Sequence, residues 1–88
     1  MNSMNQWHVY ILRCADESLY TGLSNDVARR LDEHNNNDRL AAKYTRVRRP
    51  VQLVYQETYD SRSDAAVREA EIKKLNRQSK EKLVLGKI

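Results

Sequence analysis

Cysteine is nearly absent from this sequence of 88 residues, in which Cys14 is the single example. One thiol excludes a disulfide framework within the chain, and it also excludes a zinc site built from several cysteines. Because disulfides accumulate in oxidising compartments, the shortage of cysteine favours a reducing one, and we expect the protein in the cytoplasm. No activating partner for Cys14 is evident in the sequence, so this residue is expected to be structural.

Long apolar runs are absent too. No segment approaches the roughly 20 apolar residues that a helix needs to cross a bilayer, so no membrane partner is expected. Residues 1–6 read MNSMNQ, which lacks the basic and apolar stretches of a signal peptide, and they are expected to be disordered. Since no internal repeat or linker is evident, residues 1–88 are expected to form a single domain.

Basic residues, by contrast, are plentiful. The formal net charge is +4 at pH 7, and the isoelectric point is near 9.4. Residues 39–49 contain five basic residues and no acidic one, and residues 73–88 contain six basic residues against one acidic residue. Two basic zones on so small a domain suit a nucleic-acid partner, whereas lysine and arginine that maintain solubility are the plainer alternative.

The pattern of residue types predicts an α+β fold with the element order β-β-α-β-α-α, in which helices flank a three-stranded antiparallel sheet. β-Branched and aromatic residues predict strands at 7–13, 19–22 and 51–59. Turn residues at 15–18 predict that the first two strands form a hairpin.

Capping residues and apolar periodicity predict three helices. Their predicted bounds are 26–36 for the first, a cap at Asp60, Ser61 or Ser63 to about Asn76 for the second, and an N-cap at Ser79 for the start of the third.

Two of these helices carry polar residues on faces that border the core. In the first helix, Arg30 and His34 lie one turn apart beside the apolar stripe. In the second helix, Glu69 falls within the inward arc, where an unpaired carboxylate is costly to bury. Glu69 therefore needs a partner, and a metal ion and Lys73, four residues further on, are both candidates.

An ordered set of short motifs gives the chain a family resemblance. The segments are VYI at 9–11, YTG at 20–22, DVARRLDEH at 26–34, AKYTR at 42–46 and REAEIKKL at 68–75. Each motif alone is weak, but the ordered set resembles the GIY-YIG endonuclease superfamily, and most closely its short stand-alone bacterial members. The resemblance implies a GIY-YIG-like fold and a nuclease that hydrolyses DNA phosphodiester bonds with one divalent metal ion, Mg²⁺ or Mn²⁺.

The resemblance also implies roles for individual residues. Tyr10 and Tyr20 match the tyrosines of the two half-motifs, and one of them would position or deprotonate the attacking water. Gly22 matches the glycine that closes the second half-motif. Arg30 matches the arginine that contacts the scissile phosphate, and Glu69 matches the glutamate that binds the metal.

His34 matches a helix position that is often histidine in this family, and it competes for the role of general base. Tyrosine titrates near pH 10 unless it is perturbed, so a tyrosine base would need positive charge nearby. Histidine accepts a proton near neutral pH. The choice among Tyr10, Tyr20 and His34 stays open, and plain packing within the sheet is the alternative for the two tyrosines.

The sequence departs from the family pattern in two places. The first half-motif reads His8-Val9-Tyr10 rather than Gly-Ile-Tyr, and the C-terminal asparagine of many members has only a loose match in Asn76. These departures leave both tyrosines intact. They motivate an alternative function, which is a non-catalytic nucleic-acid-binding module of the same fold.

The basic segment between the first helix and the third strand is the expected nucleic-acid contact. Its lysine and arginine residues would bind phosphates, and its tyrosine would stack on an unpaired base. The expected contact residues, with one on the second helix, are Lys43, Tyr44, Thr45, Arg46, Arg48, Arg49 and Lys73. Because no recognition helix is evident, we expect selectivity for single-stranded or branched DNA over plain duplex, and RNA stays open as a substrate.

Overall fold

A computed structural model of the chain describes residues 6–86. Its elements are β1 (Trp7–Arg13), β2 (Leu19–Ser24), α1 (Val27–Asn36), α2 (Lys43–Arg46), β3 (Gln52–Tyr59), α3 (Arg62–Lys73) and α4 (Arg77–Val84). The three-stranded antiparallel sheet with its helices confirms the predicted fold class. Within the described range, no helix is both long and apolar enough to span a membrane. The expected disorder at residues 1–6 concerns, apart from Gln6, residues outside that range.

The sheet has the strand order β2-β1-β3, so β1 is the central strand and pairs with a neighbour on each side. The nearly continuous apolar run of β1 suits this position, because both of its faces are covered. Val9, Tyr10, Ile11 and Leu12 are each at most 2% exposed. Successive side chains of β1 therefore enter two different cores.

These two cores lie on opposite faces of the sheet. Helices α3 and α4 cover the first face, where the buried residues are Val9, Ile11, Ala65, Ile72 and Leu83. Helix α1 covers the second face, where the buried residues are Tyr10, Leu12, Cys14, Val27 and Val51. The second core contains the tyrosine of the first half-motif, so the candidate site is built from this face.

The boundaries of the last two helices correct the prediction. Helix α3 ends at Lys73 rather than near Asn76. Helix α4 begins at Arg77 rather than after Ser79, because the side chain of Asn76 accepts the backbone N–H of Ser79 at 2.8 Å and forms the N-cap. Asparagine and serine are both good N-caps, so the sequence alone did not separate them.

The single-turn helix α2 lies in the basic segment between α1 and β3, for which the sequence predicted no helix. Its four residues are too few to show helical periodicity, and no side chain caps its start. Tertiary contacts with α1, described below, hold it in place.

Candidate active site

The ring of Tyr10 lies directly over Gly22 on the neighbouring strand. These two residues are paired across the sheet, and Tyr20 pairs with Leu12, so both tyrosines project from the same face. A Cβ atom at position 22 would overlap the tip of the Tyr10 ring at Cζ and at the hydroxyl oxygen. Glycine is therefore required for this close approach, which brings the Tyr10 hydroxyl to the edge strand β2.

A buried hydrogen-bond chain begins at Tyr10. The Tyr10 hydroxyl oxygen lies 2.9 Å from Nε2 of His34, and Nδ1 of His34 lies 2.8 Å from Oγ1 of Thr45. The Thr45 hydroxyl in turn donates to the carbonyl oxygen of Ala42 at 3.1 Å. His34 and Thr45 are 0% exposed and Tyr10 is 2% exposed, so any contact of these side chains with solvent is made at Tyr10.

The hydrogen-bonding partners assign a direction to this chain. Because Thr45 donates its proton to the Ala42 carbonyl, its oxygen accepts from His34 Nδ1–H. Nε2 of His34 then carries no proton and accepts a hydrogen bond from the Tyr10 hydroxyl. The backbone N–H of Ala42 also approaches Nδ1, but at 3.5 Å this contact is at the outer limit of a hydrogen bond.

Tyr10 and His34, the two titratable residues of this hydrogen-bond chain, are both neutral at pH 7. Burial, together with the nearby Tyr20, raises the pKa of Tyr10 to about 12, although Arg30 acts in the opposite direction. Burial, together with the positive charge of Arg30, lowers the pKa of His34 to about 4. The proton of the chain therefore rests on the Tyr10 oxygen, while Nε2 of His34 is free to accept it.

Tyr20 belongs to a column of stacked side chains. Its ring meets the His34 ring edge-on at 5.4 Å between centroids, and it stacks on the Tyr44 ring at 5.9 Å with an interplanar angle of 24°. The guanidinium group of Arg48 lies over the Tyr44 ring at 3.8 Å, which is a cation–π contact. This aromatic column, formed by His34, Tyr20, Tyr44 and Arg48, runs from the buried histidine to the protein surface.

Arg30 brings positive charge to the same place. Its side chain is 25% exposed, and Nη1 donates to the Glu33 carboxylate at 3.0 Å and to the Leu40 carbonyl at 2.6 Å. Its charge acts on both Tyr10 and His34, as the pKa shifts of these two residues show. A partly buried guanidinium beside a tyrosine hydroxyl is suited to bind a phosphate oxygen, since it offers several N–H donors in one plane.

Glu69 approaches the site from α3. Its side chain is 21% exposed and forms an ion pair with Lys73 at 3.3 Å, and its negative charge adds to the effect of burial in raising the pKa of Tyr10. Among residues 6–86, no group of three or more His, Cys, Asp and Glu residues is arranged to hold a metal ion. The described residues therefore do not supply a complete metal cage by themselves.

A single carboxylate nevertheless fits one kind of metal site. Mg²⁺ is commonly held by one or two carboxylates together with waters and the phosphates of the substrate. Glu69 is partly buried, and its Lys73 partner is 53% exposed and on a flexible side chain. Glu69 thus fits a metal ion whose other ligands come from the substrate and from water.

The predicted nucleic-acid contacts differ in exposure. Lys43 and Arg46 are exposed on α2, and Tyr44 is 36% exposed. Arg48 is partly exposed and forms an ion pair with a carboxylate of the hairpin turn at 3.1 Å. These side chains form a basic surface at the outer end of the aromatic column, whereas Lys73 is on α3.

Two other predicted contacts turn toward the interior. Thr45 is fully buried within the hydrogen-bond chain. Arg49 donates from Nε to the backbone carbonyl of His34 at 2.7 Å and from Nη1 to Asp38 at 2.8 Å. In this structure both residues support His34. Neither contact has a signal in the sequence, because both join residues that only the folded chain brings together.

Comparison with known proteins agrees with this fold. The architecture is that of a GIY-YIG catalytic domain, and the chain belongs to that family, whose model matches residues 6–82. A UPF0213 protein of Staphylococcus saprophyticus is 52% identical over 81 residues, which cover 92% of this chain and 96% of the relative. A UPF0213 protein of Staphylococcus epidermidis is 53% identical over the same shares of both chains.

Solved structures of relatives have the same fold. The solution NMR structure of a UPF0213 protein from Bacillus halodurans is 44% identical, with a TM-score of 0.60 over 93% of this chain and 85% of that chain. A second NMR structure, of a protein from E. faecalis, is 40% identical with the same TM-score over 88% of this chain and 80% of that chain.

Proposed function

We propose that this protein is a divalent-metal-dependent endonuclease that hydrolyses DNA phosphodiester bonds and selects its substrate by strand structure rather than by base sequence. The observation that carries the proposal is the chain from Tyr10 through His34 to Thr45, placed beside Arg30 on one face of the sheet. A role in DNA repair, recombination or foreign-DNA processing fits such an activity.

In this proposal Tyr10 is the group that receives a proton from the attacking water. As the water proton moves to the Tyr10 oxygen, the Tyr10 proton moves to Nε2 of His34, and the resulting hydroxide attacks phosphorus. The phosphorus–oxygen bond to the leaving sugar oxygen breaks, that oxygen takes up a proton from solvent, and the proton on His34 returns through Tyr10 to solvent. The hydrogen bond from Nδ1–H to Thr45 keeps His34 in the tautomer that has Nε2 free. A positioned general base contributes on the order of 10² to 10⁴ in rate when its pKa lies near the working pH, and the lowered pKa of His34, about 4, places it below that optimum.

Arg30 and Glu69 are proposed to handle the charge of the substrate. Arg30 would bind a non-bridging oxygen of the scissile phosphate and offset the charge that develops there. Glu69 would hold the metal ion, Mg²⁺ or Mn²⁺. When bound, such an ion acts as a Lewis acid toward the phosphate and the leaving oxygen.

The proposal is tested with a panel of substrates. The purified protein is incubated with single-stranded, duplex and branched DNA in Mg²⁺ or Mn²⁺, beside the Arg30→Ala and Glu69→Ala variants. We expect cleavage of single-stranded or branched DNA in preference to duplex, and its loss in both variants and in EDTA. Failure to cut any of these substrates, or cutting that survives both substitutions, would show the proposal to be wrong.

A second candidate function is supported by one observation. The Glu69 carboxylate already has a protein partner in Lys73, which is the arrangement expected of a non-catalytic nucleic-acid-binding module. Such a module would bind DNA or RNA with an affinity that neither EDTA nor Glu69→Ala changes. The panel above separates the two candidates, because metal-dependent cleavage excludes the binding module.

A further inference from the structure

A cavity of about 190 Å³ lies next to the aromatic column, and no step of the proposed reaction uses it. Its lining residues come from the hairpin turn, β2, α2 and α4, and they are Ser18, Leu19, Tyr44, Arg77 and Lys80. Leu19 precedes Tyr20 in the chain, and Tyr44 stacks on Tyr20. The cavity therefore borders the candidate active site at Tyr20, which adjoins both Leu19 and Tyr44.

The walls of this cavity combine two kinds of chemistry. Leu19 and the edge of the Tyr44 ring, whose faces contact Tyr20 and Arg48, provide an apolar wall, whereas Arg77 and Lys80 provide positive charge. Lys80 forms no ion pair with any residue of the described range. Arg77 is 62% exposed, donates to the backbone carbonyl of Glu17 at 2.8 Å, and lies 3.6 Å from Glu81.

The carboxylate of Glu81, which lies close to Arg77, is offset within the protein. Both carboxylate oxygens of Glu81 accept hydrogen bonds from Arg13, at 2.9 and 2.8 Å. This bidentate pair neutralises Glu81, so the positive charge of Lys80 and Arg77 remains available to a ligand. An apolar wall facing two cations suits a ligand that joins a flat ring to a phosphate.

We propose that this cavity binds one unpaired nucleotide of the substrate strand, with its base against Leu19 and the edge of the Tyr44 ring and its phosphate near Arg77 and Lys80. The substrate class rests on the proposed function. A base that is paired within a duplex must be extruded before it enters such a cavity, and extrusion is easiest where the strand is already single. The cavity thus gives a physical reason for selectivity toward single-stranded or branched DNA.

The first test measures binding without cleavage. Labelled single DNA strands of increasing length are titrated with the wild-type protein in EDTA, and binding is measured by fluorescence anisotropy. This series identifies the shortest strand that the protein binds. Each base of that strand is then removed in turn by an abasic substitution. We expect one position to lower the affinity on the order of fivefold or more, and we expect the same substitution to have no further effect on the Tyr44→Leu variant.

The second test measures the interaction with phosphate. The binding constant K is measured at several salt concentrations, and log K is plotted against log salt concentration. The slope decreases in magnitude by about 0.7 for each phosphate of a single strand that the protein no longer neutralises. We expect this change for Lys80→Ala. The matched control is Lys82→Ala, which removes the same charge two residues along α4 at an exposed position outside the cavity, and its slope should equal that of the wild type.

The outcomes separate this proposal from the proposed function. Equal reductions in affinity at every abasic position, or equal slopes for the Lys80 and Lys82 variants, would overturn the nucleotide site. A wild-type protein that binds no single strand would overturn it as well, while metal-dependent cleavage of another DNA would leave the nuclease proposal standing. If strands bind as expected but are never cut, the nucleotide site stands and the nuclease proposal fails.

Discussion

Thr45 influences the site through His34, because its hydroxyl contacts the ring nitrogen that points away from Tyr10. In Thr45→Val the His34 ring either keeps an unpaired buried N–H, which costs about 1–3 kcal/mol, or moves its proton to Nε2. We therefore expect a lower free energy of unfolding in urea or a changed tautomer in the nitrogen NMR spectrum of the ring. Thr45→Ser keeps the hydroxyl and serves as the control, and identical results for the two variants would contradict this role.

The contact between Tyr10 and Gly22 predicts a strong coupling between the two positions. A methyl group in Gly22→Ala overlaps the Tyr10 ring, so the ring must move, and we expect a loss of about 1–3 kcal/mol in stability, as for other overpacked sites. In a Tyr10→Ala background the same methyl group meets no ring. Its effect should then largely disappear, as urea unfolding of the single and double variants will show.

A Gly22→Ala effect of equal size in both backgrounds would mean that the glycine is required for another reason. Tyr10→Ala by itself also removes the hydrogen bond to His34. The comparison of single and double variants is therefore a double-mutant cycle, which isolates the coupling energy between Gly22 and Tyr10 from that separate loss.

For individual residues of the site, helical periodicity in the sequence was sufficient to predict the positions of some side chains and not of others. It placed Arg30 and His34 on one face and turned Glu69 inward, since each lies on a helix of at least ten residues. It did not place Thr45, which was expected to contact nucleic acid and is instead buried. The difference arises because the orientation of a side chain on a single turn of helix is decided by what that turn packs against.

Among the secondary-structure elements, α4 offers a direct test of its corrected start. Since the Asn76 side chain accepts the backbone N–H of Ser79, Asn76→Ala should lower the free energy of unfolding by about 0.5–2 kcal/mol. Ser79→Ala removes no cap and should have a much smaller effect. The reverse order of the two values in urea unfolding would restore the boundary that the sequence suggested.

The elements that sequence patterns predicted well are those with many residues and one buried face. The central strand β1 is apolar along its length because both of its faces are covered, and this pattern is unmistakable in the sequence. Helix α2 has four residues and no capping side chain. It is attached to α1 by the hydrogen bond between His34 and Thr45, which is a tertiary contact between residues eleven positions apart.

The stability of the whole molecule is expected to depend on pH through His34. The unfolded chain binds a proton at the ordinary histidine pKa of 6.5, whereas the folded chain does not bind it until the pH falls to about 4. The stabilisation is therefore fully present above pH 6.5 and is lost as the pH falls toward 4. Its full size is on the order of 3 kcal/mol.

Urea unfolding between pH 7 and pH 4 measures this effect. Carboxylates also titrate in this range, so the comparison is with His34→Gln, in which the other groups are unchanged. The stability difference between wild type and variant should shrink as the pH falls. A difference that is constant with pH would contradict the lowered pKa of His34.

The two cores also determine when the molecule is able to act. Arg30 and His34 belong to the helix that covers one face of the sheet, and Glu69 belongs to a helix that covers the other. A chain that is still emerging from the ribosome, or one in which either core has unfolded, therefore lacks part of the set. If the proposed function is correct, cutting is restricted to completely folded molecules.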